Sequence, residues 1–117
     1  MSYNLAQLLA EKNALIEKGH FAEANERFYA ENTKTVDFTG MNTNGKADHT
    51  QKMKDFIGTI AKVNKVTFHR SVVGEGVTFS EFTFDFEMKD GSKILWHEII
   101  MSVWENGLVV FEQYFLG

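Results

Sequence analysis

Five side chains in this sequence carry acid–base or hydrogen-bonding groups among otherwise apolar neighbours: Asp37, His69, His97, Glu112 and Tyr114. Asp37 follows Thr35-Val36, two residues of good strand propensity, and precedes Phe38. A carboxylate desolvated by phenylalanine has its pKa raised toward the range of a general base. The ordinary alternative is an exposed Asp at a loop edge. Glu112 interrupts the alternate residues Leu108, Val110 and Tyr114. Burying a lone carboxylate is costly unless it is protonated or hydrogen-bonded, so Glu112 either meets a ligand or is bonded to its surroundings as a structural group. His69 and His97 have the same two readings, catalytic or simply satisfied. The Tyr114 hydroxyl can face a ligand or pack beside Ile99 and His69. His20 and His49 fall near helix starts and are expected to be solvated.

The elements that position these groups follow from periodicity. Leu5, Leu8, Leu9, Leu15 and Ile16 form one helical stripe, stopped by Gly19. Phe21, Ala24 and Phe28 define a second helix that breaks at Asn32-Thr33. A short strand over 34–38 and a polar loop over 40–45 come next. Asp48 and Gln51 have the spacing of a capping box for a third helix, whose stripe is Met53, Phe56, Ile57 and Ile60. From Val66 the period becomes two, giving strands over 66–73, 77–89, 92–105 and 108–115. Their short connections predict an antiparallel meander. With helices first and sheet second, the chain reads as a single α+β domain over 1–117.

Asp90-Gly91 and Asn106-Gly107 have the composition of two-residue hairpin loops, and reading both that way, with Glu75-Gly76 as a third such loop, sets a register. One face then carries the rows Ser71, Ser80, Met101, Glu112; His69, Phe82, Ile99, Tyr114; and Thr67, Phe84, His97. Phe86 continues that face. The other carries Arg70, Glu81, Trp96, Trp104, Phe79 and Phe111. Both faces are amphipathic, so the second is expected to meet a partner subunit. In this register His97 and Glu112 are roughly 14 Å apart, and His69 and His97 on the order of 10 Å. Metal–ligand bonds are about 2 Å, so no metal site and no cofactor are expected.

Composition narrows the function classes. The chain has 117 residues, 44% hydrophobic and 24% charged, with eleven Phe against three Tyr and two Trp. Phenylalanine supplies apolar area with no hydrogen bond, which suits a core, a greasy pocket or an interface. A net charge of −4 with no basic stripe argues against nucleic acid. Without Cys there is no disulfide framework or thiolate chemistry. No apolar run reaches membrane-spanning length, and Met1-Ser2-Tyr3-Asn4 lacks a signal-peptide pattern, so a cytoplasmic protein is expected.

The chain resembles the nuclear-transport-factor-2-like superfamily, in its SnoaL-like and ketosteroid-isomerase-like branch. The resemblance spans nearly the whole chain. It is carried by the helix ending at Gly19, by Phe28-Tyr29-Ala30-Glu31-Asn32 leading into Thr35-Val36-Asp37, by Gly45-Lys46, and by the segment from Trp104 to Phe115. It implies a cone-shaped, curved antiparallel sheet packed against three N-terminal helices, with a ligand cavity between them and frequent dimerisation through the outer sheet face. It also implies that Glu112 and Tyr114 face the cavity and that Asp37 matches the isomerases' catalytic base. The segment around Lys12 and Asn13 offers no phenol where those isomerases use one, and Ile99 matches their second acid, which argues against steroid isomerisation.

The resulting expectation is a SnoaL-like domain that binds a small, mostly apolar or aromatic molecule. It could act as an isomerase, cyclase or hydrolase through Asp37, His97, Glu112 and Tyr114. His69, Phe82, Phe84, Ile99, Met101, Phe38 and Phe56 would line the pocket. A homodimer would form through Arg70, Glu81, Trp96, Trp104 and Phe111. The alternatives are a non-catalytic binding module and a dimeric interaction domain.

Overall fold

The computed structural model describes residues 3–117. Met1 and Ser2, part of the N-terminal reading above, lie outside the described residues. Three helices and six strands follow in the order α1 (Leu5–Glu17), α2 (Phe21–Phe28), β1 (Tyr29–Val36), β2 (Asn42–Asn44), α3 (Lys46–Ile57), β3 (Ile60–Val73), β4 (Val77–Met88), β5 (Lys93–Glu105) and β6 (Leu108–Leu116). The strands form one curved, unclosed sheet in the order β2-β1-β6-β5-β4-β3. All pairings are antiparallel except β1 on β6, which is parallel and makes the sheet mixed.

The helix ends have local causes. Asn4 caps α1 by accepting from the Gln7 amide at 3.0 Å. At the other end Gly19, at φ 79°, lets its own amide reach Ile16 O and the His20 amide reach Leu15 O, a Schellman closure that glycine tolerates best. The second helix stops at Phe28, four residues before the expected break, because Tyr29 is already extended and begins β1. The proposed capping box is not formed. Gly45 occupies the N-cap of α3, Asp48 lies inside the first turn, and Gln51 donates to Asp55 instead. Residues 42–44, expected as loop, pair with β1, and β3 starts six residues earlier than periodicity indicated.

Register is where the sequence reading needs correction. Asn106-Gly107 is a two-residue loop with both residues at positive φ, 53° and 78°, as this dipeptide favours. At Asp90-Gly91 only the glycine takes positive φ. The Asp90 carboxylate accepts from the Ser92 amide at 2.9 Å and its hydroxyl at 2.6 Å, and the hairpin closes between Met88 and Ser92. The loop therefore has three residues, a type I turn followed by a left-handed glycine. That one-residue difference turns β5 over. Phe84 pairs with Trp96 and Phe82 with Glu98, where His97 and Ile99 were expected. A bulge between Val103 and Trp104 then shifts β6 by one residue the other way, giving Ser102–Glu112 and Ile100–Tyr114. A bulge between Phe68 and Arg70 leaves Arg70 opposite Glu81 and Ser71 opposite Ser80, as expected, but places Phe68 rather than His69 beside Phe82.

The two shifts cancel between β4 and β6 but not at β5. The helix-facing side of the sheet keeps Phe82, Phe84, Phe86, Glu112 and Tyr114. It gains Trp96, Glu98, Ile100 and Trp104. His97, Ile99 and Met101 move to the outer side. Apolar contacts gather in two cores. One contains Ile16, Ala24, Val66, Phe82, Phe84, Phe86 and Ile100, and the other Leu9, Phe28, Tyr29, Trp104 and Val109. Between Leu9 and Ile16 on the same α1 stripe lie Lys12 and Asn13, both buried. No described helix is long and apolar enough to cross a membrane.

Candidate functional site

Between the helices and the inner sheet face is a cavity of about 240 Å³, near the small end of ligand pockets. Its walls are apolar: Phe21, Phe56, Phe84, Phe86, Trp96 and Ile100. Phe56 stacks on Trp96 at 5.4 Å, and Phe38 meets the same indole edge-on at 5.2 Å. Polar groups enter at two places. Asp37 and Lys52 stand at the exposed end, while Asn25, Tyr29, His49, Glu98, Glu112 and Tyr114 form the deep end.

The deep end is organised around Glu112, which is fully buried. Its Oε2 accepts from Lys12 Nζ at 2.8 Å and Ser102 Oγ at 2.5 Å. Its Oε1 accepts from the hydroxyls of Tyr114, at 2.6 Å, and Tyr29. Four donors on two oxygens saturate a carboxylate. Burial alone would push its pKa up, but the Lys12 charge and these hydrogen bonds hold it below the usual carboxylate range. Burial and the neighbouring Glu112 push both phenols well above their ordinary value, so they remain donors. Glu112 is thus an ionised anchor with no lone pair left for a substrate proton.

Glu98 is the converse. It is 8% exposed, lines the cavity, and makes no side-chain hydrogen bond among the described residues. Burial, then the Glu112 charge, push its carboxyl up to about 8, against the pull of Lys12. At neutral pH it is a neutral acid facing an apolar space, able to donate a hydrogen bond or a proton.

Asp37 reaches the cavity but not as the desolvated base that its neighbours suggested. Partial burial raises its pKa, yet this is outweighed by hydrogen bonds from Thr39 and Lys52, with Met41 adding a weaker one. Its Oδ1 accepts from the Thr39 amide and hydroxyl at 2.9 and 2.5 Å and the Met41 amide at 3.1 Å, and its Oδ2 from Lys52 Nζ at 2.9 Å. It is held well below the usual carboxylate range, which makes it a loop clasp and a weak base.

The other expected site residues divide cleanly. Glu112, Tyr114, Phe38, Phe56 and Phe84 line the cavity with Asp37. Phe82 does not; it is sealed in the core between Phe68 and Phe84. His69, His97, Ile99 and Met101 are outside, because the Asp90-Gly91 loop turned β5 over and a bulge turned His69. On the outer face His97 meets Glu81 at 2.5 Å, Arg70 meets Glu81 at 2.8 Å, and the His69 and His97 rings are 5.9 Å apart rather than about 10. Among the described residues no three His, Asp or Glu converge as metal ligands. Of the residues assigned to a dimer face, Arg70, Glu81 and Phe111 are on the outer side. Trp96 and Trp104 turn inward, Trp96 onto Phe56 and Trp104 onto Phe28.

Lys12, Asn25, His49 and Glu98 are among the site residues that escaped the sequence reading. His49, expected to be solvated, stacks on Tyr29 at 5.1 Å and faces Asn25 and Tyr114. A signal existed for three of them. Lys12 shares a stripe with Leu9 and Ile16, Asn25 with Phe21 and Phe28, and His49 with Met53 and Phe56. Each helix thus places at least one polar residue on its buried side. Glu98 could not be found without the correct register.

The sequence over residues 4–116 matches the model of the SnoaL-like domain. No curated protein matches the sequence. Solved structures of similar fold include a Mesorhizobium loti protein described both as a SnoaL-like polyketide cyclase and as a carbohydrate phosphatase, with 19% identity, coverage of 97% of this chain and 99% of that one, and a TM-score of 0.86. An NTF2-like protein of unknown function from Burkholderia pseudomallei has 11% identity, 99% and 92% coverage and a TM-score of 0.81. A protein of ketosteroid isomerase-like fold from Catenulispora acidiphila, in complex with trimethylamine, has 14% identity, 91% and 82% coverage and a TM-score of 0.75.

Proposed function

This chain belongs to the SnoaL-like family within the NTF2-like superfamily, and from that premise we propose that it binds a small, mostly apolar molecule bearing a carbonyl or similar oxygen. Glu98 would donate to that oxygen and exchange a proton with it. The observation that carries this reading is a single neutral carboxylic acid facing an aromatic cavity. A hydrogen-bond donor without a partner in an apolar space favours a ligand that supplies an acceptor there. The modest volume of the cavity favours a molecule of one or two fused rings.

Calorimetric titration with 1-tetralone, an aromatic ketone, and tetralin, its hydrocarbon counterpart, tests this. The ketone should bind more tightly near neutral pH and lose its advantage as pH rises through about 8, where Glu98 becomes a carboxylate. Equal affinities at every pH, or no binding of either compound, would overturn the reading.

The outer sheet face supports a second proposal, that it pairs with another copy of the chain. Phe79, Leu95 and Phe115 are 41%, 72% and 43% exposed there, beside Met101, Val103 and Phe111. Phe79 pairs with Met101 and Phe115 with Ile99 on adjacent strands, and apolar side chains exposed together in this way are characteristic of an interaction surface.

A further inference from the structure

The deep end of the cavity contains one hydrogen-bonded row whose protons can be counted. Asn25 Nδ2 donates to Thr50 Oγ1 at 2.5 Å, which turns Asn25 Oδ1 toward His49 Nδ1 at 2.6 Å. His49 Nε2 faces the Tyr114 hydroxyl at 3.2 Å, and that hydroxyl meets Glu112 Oε1 at 2.6 Å. Each of these three contacts along Asn25–His49–Tyr114–Glu112 needs one proton. Tyr114 brings one and a neutral imidazole brings one; the amide oxygen and the ionised carboxylate bring none. The shorter contacts hold both protons, at Glu112 and at Asn25. The longest contact is left with two lone pairs facing each other, and the deficit falls at His49 Nε2.

We propose that His49 Nε2 is the proton acceptor of the cavity, taking this missing proton from a bound ligand that carries an acidic O–H or a C–H next to a carbonyl. The ligand's O–H or C–H bond breaks as its proton passes to the Tyr114 hydroxyl oxygen, which lines the cavity in front of Nε2. That hydroxyl's own proton passes to the ring, the Nε2–H bond forms, and the electron pair stays on the ligand as a phenolate or enolate. The ligand oxygen then accepts from the Glu98 carboxyl. The imidazolium donates to Asn25 from Nδ1 and to Tyr114 from Nε2, so proton uptake completes the row. His49 lines the cavity from the first turns of α3, within reach of what the cavity holds.

The groups around the ring make that proton returnable. Glu112 on β6 favours the imidazolium, whereas burial, Lys12 on α1 and Lys52 on α3 disfavour it. Burial dominates and keeps the free ring neutral near pH 7. Tyr29 from β1 and Tyr114 from β6 stay protonated, and Asn25 from α2 carries no charge. Acid and base roles thus fall to Glu98 and His49, two groups whose surroundings push their pKa values to opposite sides of their ordinary order.

This inference rests on the proposed ligand cavity, and two probes separate their failures. 4-Nitrophenol absorbs differently as phenol and phenolate, and 4-nitroanisole has the same ring without the proton. In the native chain 4-nitroanisole should bind, and 4-nitrophenol should bind as phenolate at a pH where the free compound is mostly phenol. The bound phenolate-to-phenol ratio should fall about tenfold or more, one pKa unit, in His49→Gln. If 4-nitroanisole binds and 4-nitrophenol is held as phenol, the His49 assignment is overturned while the cavity reading stands. If neither binds, both fail. Imidazole nitrogen-15 spectra of the native chain need no variant fold: Nε2 should carry a lone pair at neutral pH, and an Nε2–H there would overturn the assignment.

Discussion

Replacing Glu98 by Gln removes an ionisable group while keeping its shape, and the structure fixes what should follow. In the unfolded chain a glutamate loses its proton near the ordinary 4.5; in the folded chain burial and Glu112 hold the proton to about 8. Below pH 4.5 both states carry it, and folding is indifferent to pH at this site. Between 4.5 and 8 the unfolded state binds fewer protons than the folded one, so stability falls as pH rises. Each pH unit crossed is worth about 1.4 kcal/mol, and the whole interval about 5 kcal/mol. That is a large share of a small domain's net stability, about 5–15 kcal/mol. Glu98→Gln should therefore become more stable than the native chain as pH rises, approaching that difference above pH 8. Urea unfolding of both proteins at a series of pH values from about 4 to 9 measures it, since titrations of all distant groups cancel in the difference. Parallel stability curves would refute the argument, because they would mean that Glu98 ionises normally and is not the neutral acid of the cavity.

Other perturbations follow from the same contacts. Lys12→Met should cost about 3–5 kcal/mol in chemical denaturation, since it leaves Glu112 charged and buried; the double variant with Glu112→Leu should cost less than the single one. Asp37→Asn should cost about 1 kcal/mol at neutral pH, as for an exposed pair. That cost should begin to shrink as pH falls below the ordinary 3.8, where the unfolded Asp37 takes up its proton, and should be gone only at much lower pH, because the folded Asp37 holds its charge well below that value. Phe79→Glu should convert a dimer to a monomer in sedimentation velocity with the thermal transition retained, and a native chain that sediments as a monomer would remove the outer-face proposal.

The sequence by itself determined the kinds of element and most of their order. Helix stripes ending at Gly19, the change to period two at Val66, and the Asn106-Gly107 turn are local signals, because the backbone conformations they require depend on a few adjacent residues. The inner position of Phe82, Phe84, Phe86, Glu112 and Tyr114 was legible too, though partly because two register shifts cancel across β5. What the tertiary structure decided is which polar residues meet. Asp90 used its side chain to hold a three-residue loop, and that one added residue exchanged His97 for Glu98 at the cavity. Parity along a strand turns a small local choice into a complete change of face. Lys12, Asn25 and His49 were visible as polar residues on buried helix stripes, but nothing local says that they converge on one carboxylate. The convergence depends on helices and strands far apart in sequence, and so do the pKa shifts that make Glu98 an acid, Asp37 a clasp and Glu112 an anchor.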